Sequence, residues 1–293
     1  MLNKSFRLWC MVFCCLLLCS FTADKPAYRL FKKGGKQADY KTLLKEAQNA
    51  DVILFGELHN NPITHWLQLE LAKDLHKSAG DKLVLGGEFF EADNQVIINE
   101  YLQNQISEKS FESEARLWPN YRTDYKPLLK FAQKNNLPFI ATNVPRRYAS
   151  LVSRQGQSAL LTLGTEPKAW LPVLPYEIDF ELPGYKAMLD MFGSGHGSGN
   201  AGKLMIEAQA LKDATMAANI AKNGSGKKFL HVNGAYHSDN YEGIVWYLKK
   251  ENPALKILTI STTEQESPEK LATEHNSKAD FILVVPESMT KTH

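Results

Sequence analysis

Residues 51–59 read DVILFGELH, in which an unbroken apolar run stops at a glycine and is followed by a glutamate and a histidine. Continuous apolar residues, without the alternation of a half-exposed strand, are typical of a strand that is buried on both faces. Gly56 permits a sharp turn of the backbone, which brings Glu57 and His59 over the end of that strand. A carboxylate and an imidazole placed in this way indicate a functional site at the edge of a sheet.

Further apolar runs of strand length alternate along the chain with segments of helical periodicity. The runs lie at residues 82–90, 138–142, 228–233, 256–260 and 281–285, and the helical segments lie at 63–77, 95–105, 125–135, 202–222 and 241–250. Strands that alternate with helices form a parallel sheet, because each crossover helix covers one face of it. The sequence therefore predicts an α/β fold with a mostly parallel sheet flanked by helices and a smaller helical cap.

Residues 145–205 interrupt this alternation. They contain prolines at positions 167, 172, 175 and 183 and a glycine-rich run at 193–199. We interpret the segment as a helical cap inserted between two parts of one α/β domain, residues 24–144 and 206–287. The glycine-rich run follows no predicted strand, so a loop is a better interpretation than a phosphate-binding turn.

Residues 1–23 have the layout of an export leader. Lys4 and Arg7 precede the apolar run 8–19, which is too short to span a bilayer. Leu16-Leu17-Leu18-Cys19 resembles a bacterial lipobox and predicts lipidation of Cys19, whereas cleavage near Ala23 without a lipid is the alternative. In both cases we expect an exported protein of the cell envelope, either an outer-membrane lipoprotein held by its lipid anchor or a periplasmic protein.

Charge and cysteine content exclude several classes of function. Removal of the leader takes the formal net charge from +2 to zero, and a neutral domain lacks the basic surface of a nucleic-acid-binding protein. All four cysteines lie in the leader. The rest of the chain therefore has no disulfide framework, cysteine-rich zinc site or thiol nucleophile, and any metal ion must be held by His, Glu, Asp, Tyr or Met.

Polar groups follow the predicted strands at the edge where open parallel sheets bind their ligands. Glu57 and His59 follow the first run, Glu88 lies in the run at 82–90, and His237 follows the run at 228–233 in a second Gly-x-x-His motif. Alternatively, Glu57 caps the next helix or pairs with Arg146, and the two histidines are satisfied polar residues of a cleft. We predict that these four side chains converge in one cleft.

Two further groups extend this candidate site. Arg146 and Arg147 follow the run at 138–142 and place cations at the same edge. His65 lies in the first turn of a helix that Asn61 caps and Pro62 begins, where the positive helix end favours a neutral imidazole that can act as a ligand. A surface histidine is the alternative interpretation of His65.

Five motifs carry a resemblance to a known family. FGELHNNPITH, GGEFF, FIATNVPRR, EAQALKDATMA and VNGAYH occur in this order between residues 51 and 247. Together they resemble the ChaN-type family of haem-binding uptake lipoproteins, within the wider Tiki/TraB/erythromycin-esterase superfamily. The Gly-x-x-His pairs are common to the superfamily, whereas the NVP element at 143–145 and Gln209, Asp213 and Met216 are specific to the ChaN-type branch.

The resemblance implies an envelope protein that binds haem, takes part in haem or iron uptake, and in one arrangement holds haem between the subunits of a homodimer. In the family a tyrosine binds the haem iron. The candidates for holding haem in this chain are three tyrosines, two histidines and two arginines, the last for the propionates: Tyr121, Tyr125, Tyr236, His59, His65, Arg146 and Arg147.

Other branches of the superfamily are enzymes, and the resemblance to them implies an alternative function. In that alternative the chain is a hydrolase whose catalytic residues are Glu57, His59, Glu88 and His237. A divalent metal ion, held by His59, Glu88 and His237, is then the alternative cofactor. We favour the haem-binding function because the ChaN-type elements are present.

Overall fold

The computed structural model describes residues 25–193 and 199–293, which fold around an eight-stranded sheet. The strands are β1 (Arg29–Lys32), β2 (Gln37–Ala38), β3 (Val52–Glu57), β4 (Leu83–Glu91), β5 (Phe139–Asn143), β6 (Lys228–Gly234), β7 (Ile257–Gln265) and β8 (Phe281–Pro286). Their order is β2-β1-β8-β7-β3-β6-β4-β5, with β3 to β8 parallel and β1 and β2 antiparallel to their neighbours. The predicted fold class is confirmed.

Helices connect the strands and cover both faces of the sheet. They are α1 (Tyr40–Asn49), α2 (Pro62–Ala79), α3 (Gln95–Leu102), α4 (Glu108–Glu114), α5 (Lys126–Lys134), α6 (Arg146–Gln155), α7 (Thr165–Lys168), α8 (Pro183–Gly193), α9 (Gly199–Gly224) and α10 (Ile244–Glu251). A π-helical turn, Tyr121–Tyr125, leads into α5. The five predicted helical segments correspond to α2, α3, α5, α9 and α10.

The central strand β3 shows why its apolar residues are continuous. Ile53 and Phe55 pack into the core with residues of α2 and α5, whereas Val52 and Leu54 pack on the opposite face with residues of α9 and α10. Successive side chains of a strand point to opposite faces, so both sets are buried. All six residues of β3, including Gly56 and Glu57, are buried.

The N-terminal part of the fold was not predicted from the sequence. β1 has four residues and β2 has two, so neither is long enough to show a clear period. β1 runs antiparallel to β8, with Arg29 opposite Val284 and Lys32 opposite Phe281. The described chain therefore joins the sheet at the edge where the parallel strands end.

The region predicted as a helical cap contains α6, α7 and α8. Their apolar residues form a hydrophobic cluster with α9 that includes Tyr148, Val152, Tyr176 and Leu211. The predicted boundary at residue 205 falls inside α9, which is one continuous helix across it. The domain boundaries stay a prediction.

Two predicted segments lie wholly or partly outside the described residues. One is the leader, residues 1–23, with its candidate lipidation site Cys19, and the other is the glycine-rich run 193–199, of which residues 194–198 are not described. Within the described part of the chain, no helix is both long and apolar enough to cross a bilayer.

The outer edge of β5 is occupied by side chains. The Gln95 amide donates from Nε2 to the carbonyl of Phe139 at 2.9 Å and accepts at Oε1 from the backbone N–H of Ala141 at 2.7 Å. Asn219 Nδ2 donates to the carbonyl of Thr142 at 3.1 Å. The Gln95 amide takes the place of a further strand, because it binds groups that a neighbouring strand would bind.

Candidate functional site

The ends of three adjacent strands, β3, β6 and β4, bring the predicted site residues together. Glu57 ends β3, Glu88 lies near the end of β4, and His237 follows β6. The pairing of β4 with β5 shifts register between Gly87 and Glu91, and such an irregularity re-aims the side chains within it. Glu88 Oε2 accepts the backbone N–H of Gly234 at 2.7 Å, which ties β4 to the turn after β6.

Glu57 is the centre of a buried hydrogen-bond network. Its Oε1 accepts from the Tyr125 hydroxyl at 2.6 Å and lies 2.9 Å from His59 Nδ1, and its Oε2 accepts from Gln68 Nε2 at 2.7 Å. The carboxylate is thus fixed by groups from α2 and from the π-helical turn. With Nδ1 of His59 facing this carboxylate, the other ring nitrogen, Nε2, is directed away from it.

His59 is the most accessible group of the predicted four, with 44% of its side chain exposed. Burial lowers the pKa of His59, but its hydrogen bond to Glu57 and the charge of Glu57 outweigh burial, so that the pKa lies above its usual value. The ring contacts Trp118 edge to face, with centroids 4.9 Å apart. Its backbone carbonyl accepts from Asn120 Nδ2 at 2.7 Å, which fixes the turn that carries it.

The turn after β6 brings His59 close to the groups around Glu88. A Cβ atom on Gly234 would lie 2.8 Å from His59 Nε2 and 3.5 Å from Glu88 Oε2. Both side chains therefore approach the Cα of Gly234, and a larger residue there would require the imidazole of His59 to move. The predicted convergence of Glu57, His59, Glu88 and His237 at one edge of the sheet is observed, although their functional roles stay predictions.

His237 is buried between two carboxylates. Its Nδ1 lies 2.5 Å from Asp213 Oδ1, its Nε2 lies 3.2 Å from Glu88 Oε1, and Asp213 also accepts from the Tyr185 hydroxyl at 2.9 Å. Burial lowers the pKa of His237, but the charges of Glu88 and Asp213 outweigh it and raise that pKa to about 10. Burial likewise opposes ionisation of Glu88, and the charge of His237 more than offsets this and lowers the Glu88 pKa.

His65 lies in the first turn of α2, where Asn61 caps the helix as predicted. It is buried, and both of its ring nitrogens face protein oxygens. Nδ1 lies 3.3 Å from Gln68 Oε1, and Nε2 lies 3.1 Å from the carbonyl of His59. This arrangement favours a role in positioning the His59 turn over the predicted role as a ligand.

Two of the three candidate tyrosines are buried in the core. Tyr121 packs against Phe90 and has a buried hydroxyl without a hydrogen-bond partner in the described structure, and Tyr125 donates to Glu57. Burial raises the pKa of both phenols, and for Tyr125 the charge of Glu57 raises it further. Tyr236 is 47% exposed, donates to the carbonyl of Gly184 at 2.6 Å, and has a pKa raised by burial to about 12.

A surface cleft of about 590 Å³ lies where the loop that carries Trp118 meets the start of α6. Its lining combines three cations with an indole ring and an aliphatic side chain: Arg116, Arg146, Arg147, Trp118 and Leu117, together with Glu91 and Ser150. Trp118 lines this cleft and also contacts the ring of His59. The arginine cleft and the accessible histidine are therefore neighbours.

The three arginines of the cleft differ in their partners. Arg116 and Arg147 share the carboxylate of Asp93, and Arg116 also pairs with Glu91 at 3.0 Å. Arg146 is exposed, and its side chain forms no ion pair within residues 25–193 and 199–293. Arg146 is thus the cation of the cleft that is available to an anionic ligand.

The predicted metal site at His59, Glu88 and His237 finds no support. In the part of the chain that the structure describes, no group of three or more His, Cys, Asp or Glu side chains is arranged to hold a metal ion. The two ring nitrogens of His237 already face Asp213 and Glu88.

Several residues of the site were not assigned a role from the sequence. Trp118, Arg116 and Asp93 belong to loops and short turns, where no periodicity points to a cleft. Asp213 was noted as part of a family motif but not as the partner of His237. The sequence does contain a signal for Asp213, because Gln209 and Asp213 lie four residues apart and therefore on one face of a mostly apolar helix. In the structure this face is directed toward His237, and the Gln209 amide lies 3.1 Å from His237 Nδ1.

Comparison with known proteins identifies the family of the chain. Residues 43–248 match a family model described as haem-binding uptake, Tiki superfamily, ChaN. The chain belongs to this family. A comparison with curated proteins gave no match.

Among solved structures, the fold is similar to that of ChaN of Campylobacter jejuni, a protein described as binding haem cofacially. The TM-score is 0.67 at 17% identity, over 88% of this chain and 96% of that one. A Bacillus cereus protein matches with a TM-score of 0.50 at 11% identity, over 84% and 90% of the two chains. An erythromycin esterase matches with a TM-score of only 0.45 at 11% identity, over 84% and 78% of the chains, which carries no argument about function.

Proposed function

We propose that this chain is an exported haem-binding protein of the cell envelope that takes part in haem or iron uptake. The observation that carries the proposal is the accessible ring of His59, fixed by Glu57 and lying next to the arginine cleft. Membership of the ChaN family supports the choice of ligand. Export rests on the sequence of the leader, and an uptake role rests on the family.

The groups around Trp118 fit the chemistry of haem. Haem needs a ligand for its iron, an apolar surface for its ring and cations for its two propionates. His59 would present Nε2 to the iron, Trp118 and Leu117 would contact the ring, and Arg146 would meet a propionate. Because the carboxylate of Glu57 holds Nδ1, it orients the imidazole and increases its basicity as a ligand.

The structure favours His59 over the tyrosines as the proposed ligand. Tyr121 and Tyr125 are each at most 2% exposed, and burial opposes formation of the phenolate that binds ferric iron. Tyr236 is accessible and stays the alternative ligand within this proposal. We propose Arg147 as a second, weaker contact for a propionate, because Asp93 already holds it.

Haemin titration should distinguish the roles that we propose for His59 and Arg146 in haem binding. We expect wild-type protein to bind haemin saturably with a shifted Soret band. His59→Ala should lose the shifted band, and Arg146→Ala should keep it but bind about fivefold more weakly, because one partly exposed ion pair is lost. The matched controls are His76→Ala, on α2, and Arg154→Ala, on the same helix as Arg146; both should bind as wild type.

Two outcomes would contradict this assignment. If Tyr236→Phe abolishes the shifted band while His59→Ala retains it, the iron ligand is Tyr236. The second outcome is that wild-type protein does not bind haemin saturably but hydrolyses an ester, and that His59→Ala loses this hydrolysis. In that case the hydrolase alternative replaces the haem proposal.

A homodimer that holds haem between its subunits is part of the proposal. Arg146 and Arg147 are exposed, so the cleft opens at the surface, where a second copy can cover a bound ring. We expect sedimentation velocity to show a monomer without haemin and a dimer with it. A monomer at saturating haemin would remove the dimer and leave haem binding intact.

A further inference from the structure

We infer that the anchored protein turns the site edge of its sheet toward the lipid bilayer and touches that bilayer with Trp66 and Tyr28. This inference deepens the proposed location and rests on the proposed lipid anchor at Cys19. Its basis is the place where the chain enters the fold, together with the side chains that surround this place.

The entry point of the chain lies at the same edge as the candidate site. β1 is antiparallel to β8, with Arg29 near the end of β8, so the described chain begins beside the carboxyl ends of the parallel strands. Glu57 and Glu88 lie at the carboxyl ends of two of these strands, and His59 follows one of them. A tether at the N-terminus therefore pulls on the edge that carries the site and not on the opposite edge.

The tether that the sequence allows is short. Lys25, the first described residue, lies six positions after Cys19 in the sequence, with five residues between them. A fully extended chain spans at most about 3.3–3.6 Å per residue, so a lipid on Cys19 keeps Lys25 within about 20 Å of the membrane surface. This limit holds for any conformation of the intervening residues, and it keeps the entry edge of the domain close to the bilayer.

An aromatic pair lies near the entry point, in which Trp66 is exposed and Tyr28 is half-buried. Trp66, on the outer face of α2, is 48% exposed, and its ring centroid lies 6.1 Å from that of Tyr28. Trp66 directly follows His65, whose ring bonds the carbonyl of His59. Lys25 is exposed and forms no ion pair within the described residues.

This composition fits a lipid surface better than it fits water. Trp and Tyr are the residues that concentrate at the membrane–water interface, where the apolar ring and the polar N–H or O–H are both satisfied. A neighbouring unpaired lysine is attracted to anionic headgroups. A lone exposed tryptophan needs no special explanation, but here it lies at the point where a short tether would hold the fold against a bilayer.

Quenching of tryptophan fluorescence by brominated acyl chains tests the orientation. The full chain, purified from membranes, is placed in phosphatidylethanolamine–phosphatidylglycerol vesicles with or without brominated phosphatidylcholine. We expect the brominated lipid to quench part of the emission, and we expect Trp66→Phe to remove at least half of this quenching. Trp170→Phe, which changes a half-buried tryptophan of the cap, should leave the quenching unchanged.

A vesicle flotation assay tests the lipid anchor independently of the orientation. Wild type should float with the vesicles and Cys19→Ala should not. If wild type floats but Trp66→Phe leaves the quenching intact, the orientation is wrong and the anchor stands. If wild type does not float, both the proposed anchor and the proposed orientation are wrong. Neither result bears on haemin binding, which is measured separately in solution.

Discussion

His237→Ala should lower the free energy of unfolding by about 3–5 kcal/mol, the usual cost of removing one partner from a buried ion pair. The loss arises because Glu88 and Asp213, at most 9% exposed as side chains, would face each other without a cation. Urea unfolding followed by circular dichroism measures the change. The control is His275→Ala, which removes a ring that bonds the Thr263 hydroxyl at 3.0 Å and should cost about 1 kcal/mol.

The same imidazole should make the stability depend on pH. Its pKa is raised from 6.5 to about 10, so below pH 6.5 both the folded and the unfolded protein hold the proton and the stabilisation is fully present. Above pH 6.5 the unfolded protein releases the proton first, so the stability of wild type falls as the pH rises toward the folded pKa. Equal slopes for wild type and His237→Ala between about pH 7 and pH 9 would show that His237 is not charged in the folded protein.

Gly234→Ala should weaken haemin binding about tenfold or more while the fold persists, and a tenfold loss of affinity corresponds to ~1.4 kcal/mol. The new Cβ would lie 2.8 Å from His59 Nε2 and 2.9 Å from Cε1. The imidazole is the end of a flexible side chain, so it can move away, but it then loses its place beside Trp118. Haemin titration gives the affinity, and circular dichroism shows that the fold is retained.

Gly224→Ala is the matched control for this experiment. Its Cβ would meet Phe229 at 3.4 Å, an ordinary contact, so binding should not change. The double variant Gly234→Ala/His59→Ala should bind no more weakly than His59→Ala, because both changes act through the same ring. A folded Gly234→Ala protein that binds haemin as tightly as wild type would show that His59 does not hold the ligand.

The parallel strands could be predicted from the sequence because burial on both faces leaves a direct pattern. All six predicted apolar runs are strands, and Glu57, His59, Glu88 and His237 meet at the edge where those strands end. The glycine in each Gly-x-x-His motif marks a turn that places the histidine over this edge. Topology alone was sufficient to bring these four residues together.

The partners that set the chemistry of the site could not be predicted in this way. Glu57 bonds Tyr125, which is 68 positions away along the chain, and the cleft joins a loop near Trp118 to the start of α6. Such contacts depend on how the connecting segments pack, and no local pattern fixes that packing. The short strands β1 and β2 were missed for a simpler reason, since four and two residues show no period.

The amide of Gln95 on the outer strand β5 has a consequence for association between copies of this protein. An open strand edge recruits strands from other molecules, and that route leads to aggregates. At β5 the carbonyl of Phe139 and the N–H of Ala141 are already bound by Gln95, and at the opposite border β2 has only two residues. Copies of this protein at high local concentration would therefore meet through side chains, and their sheets would not merge.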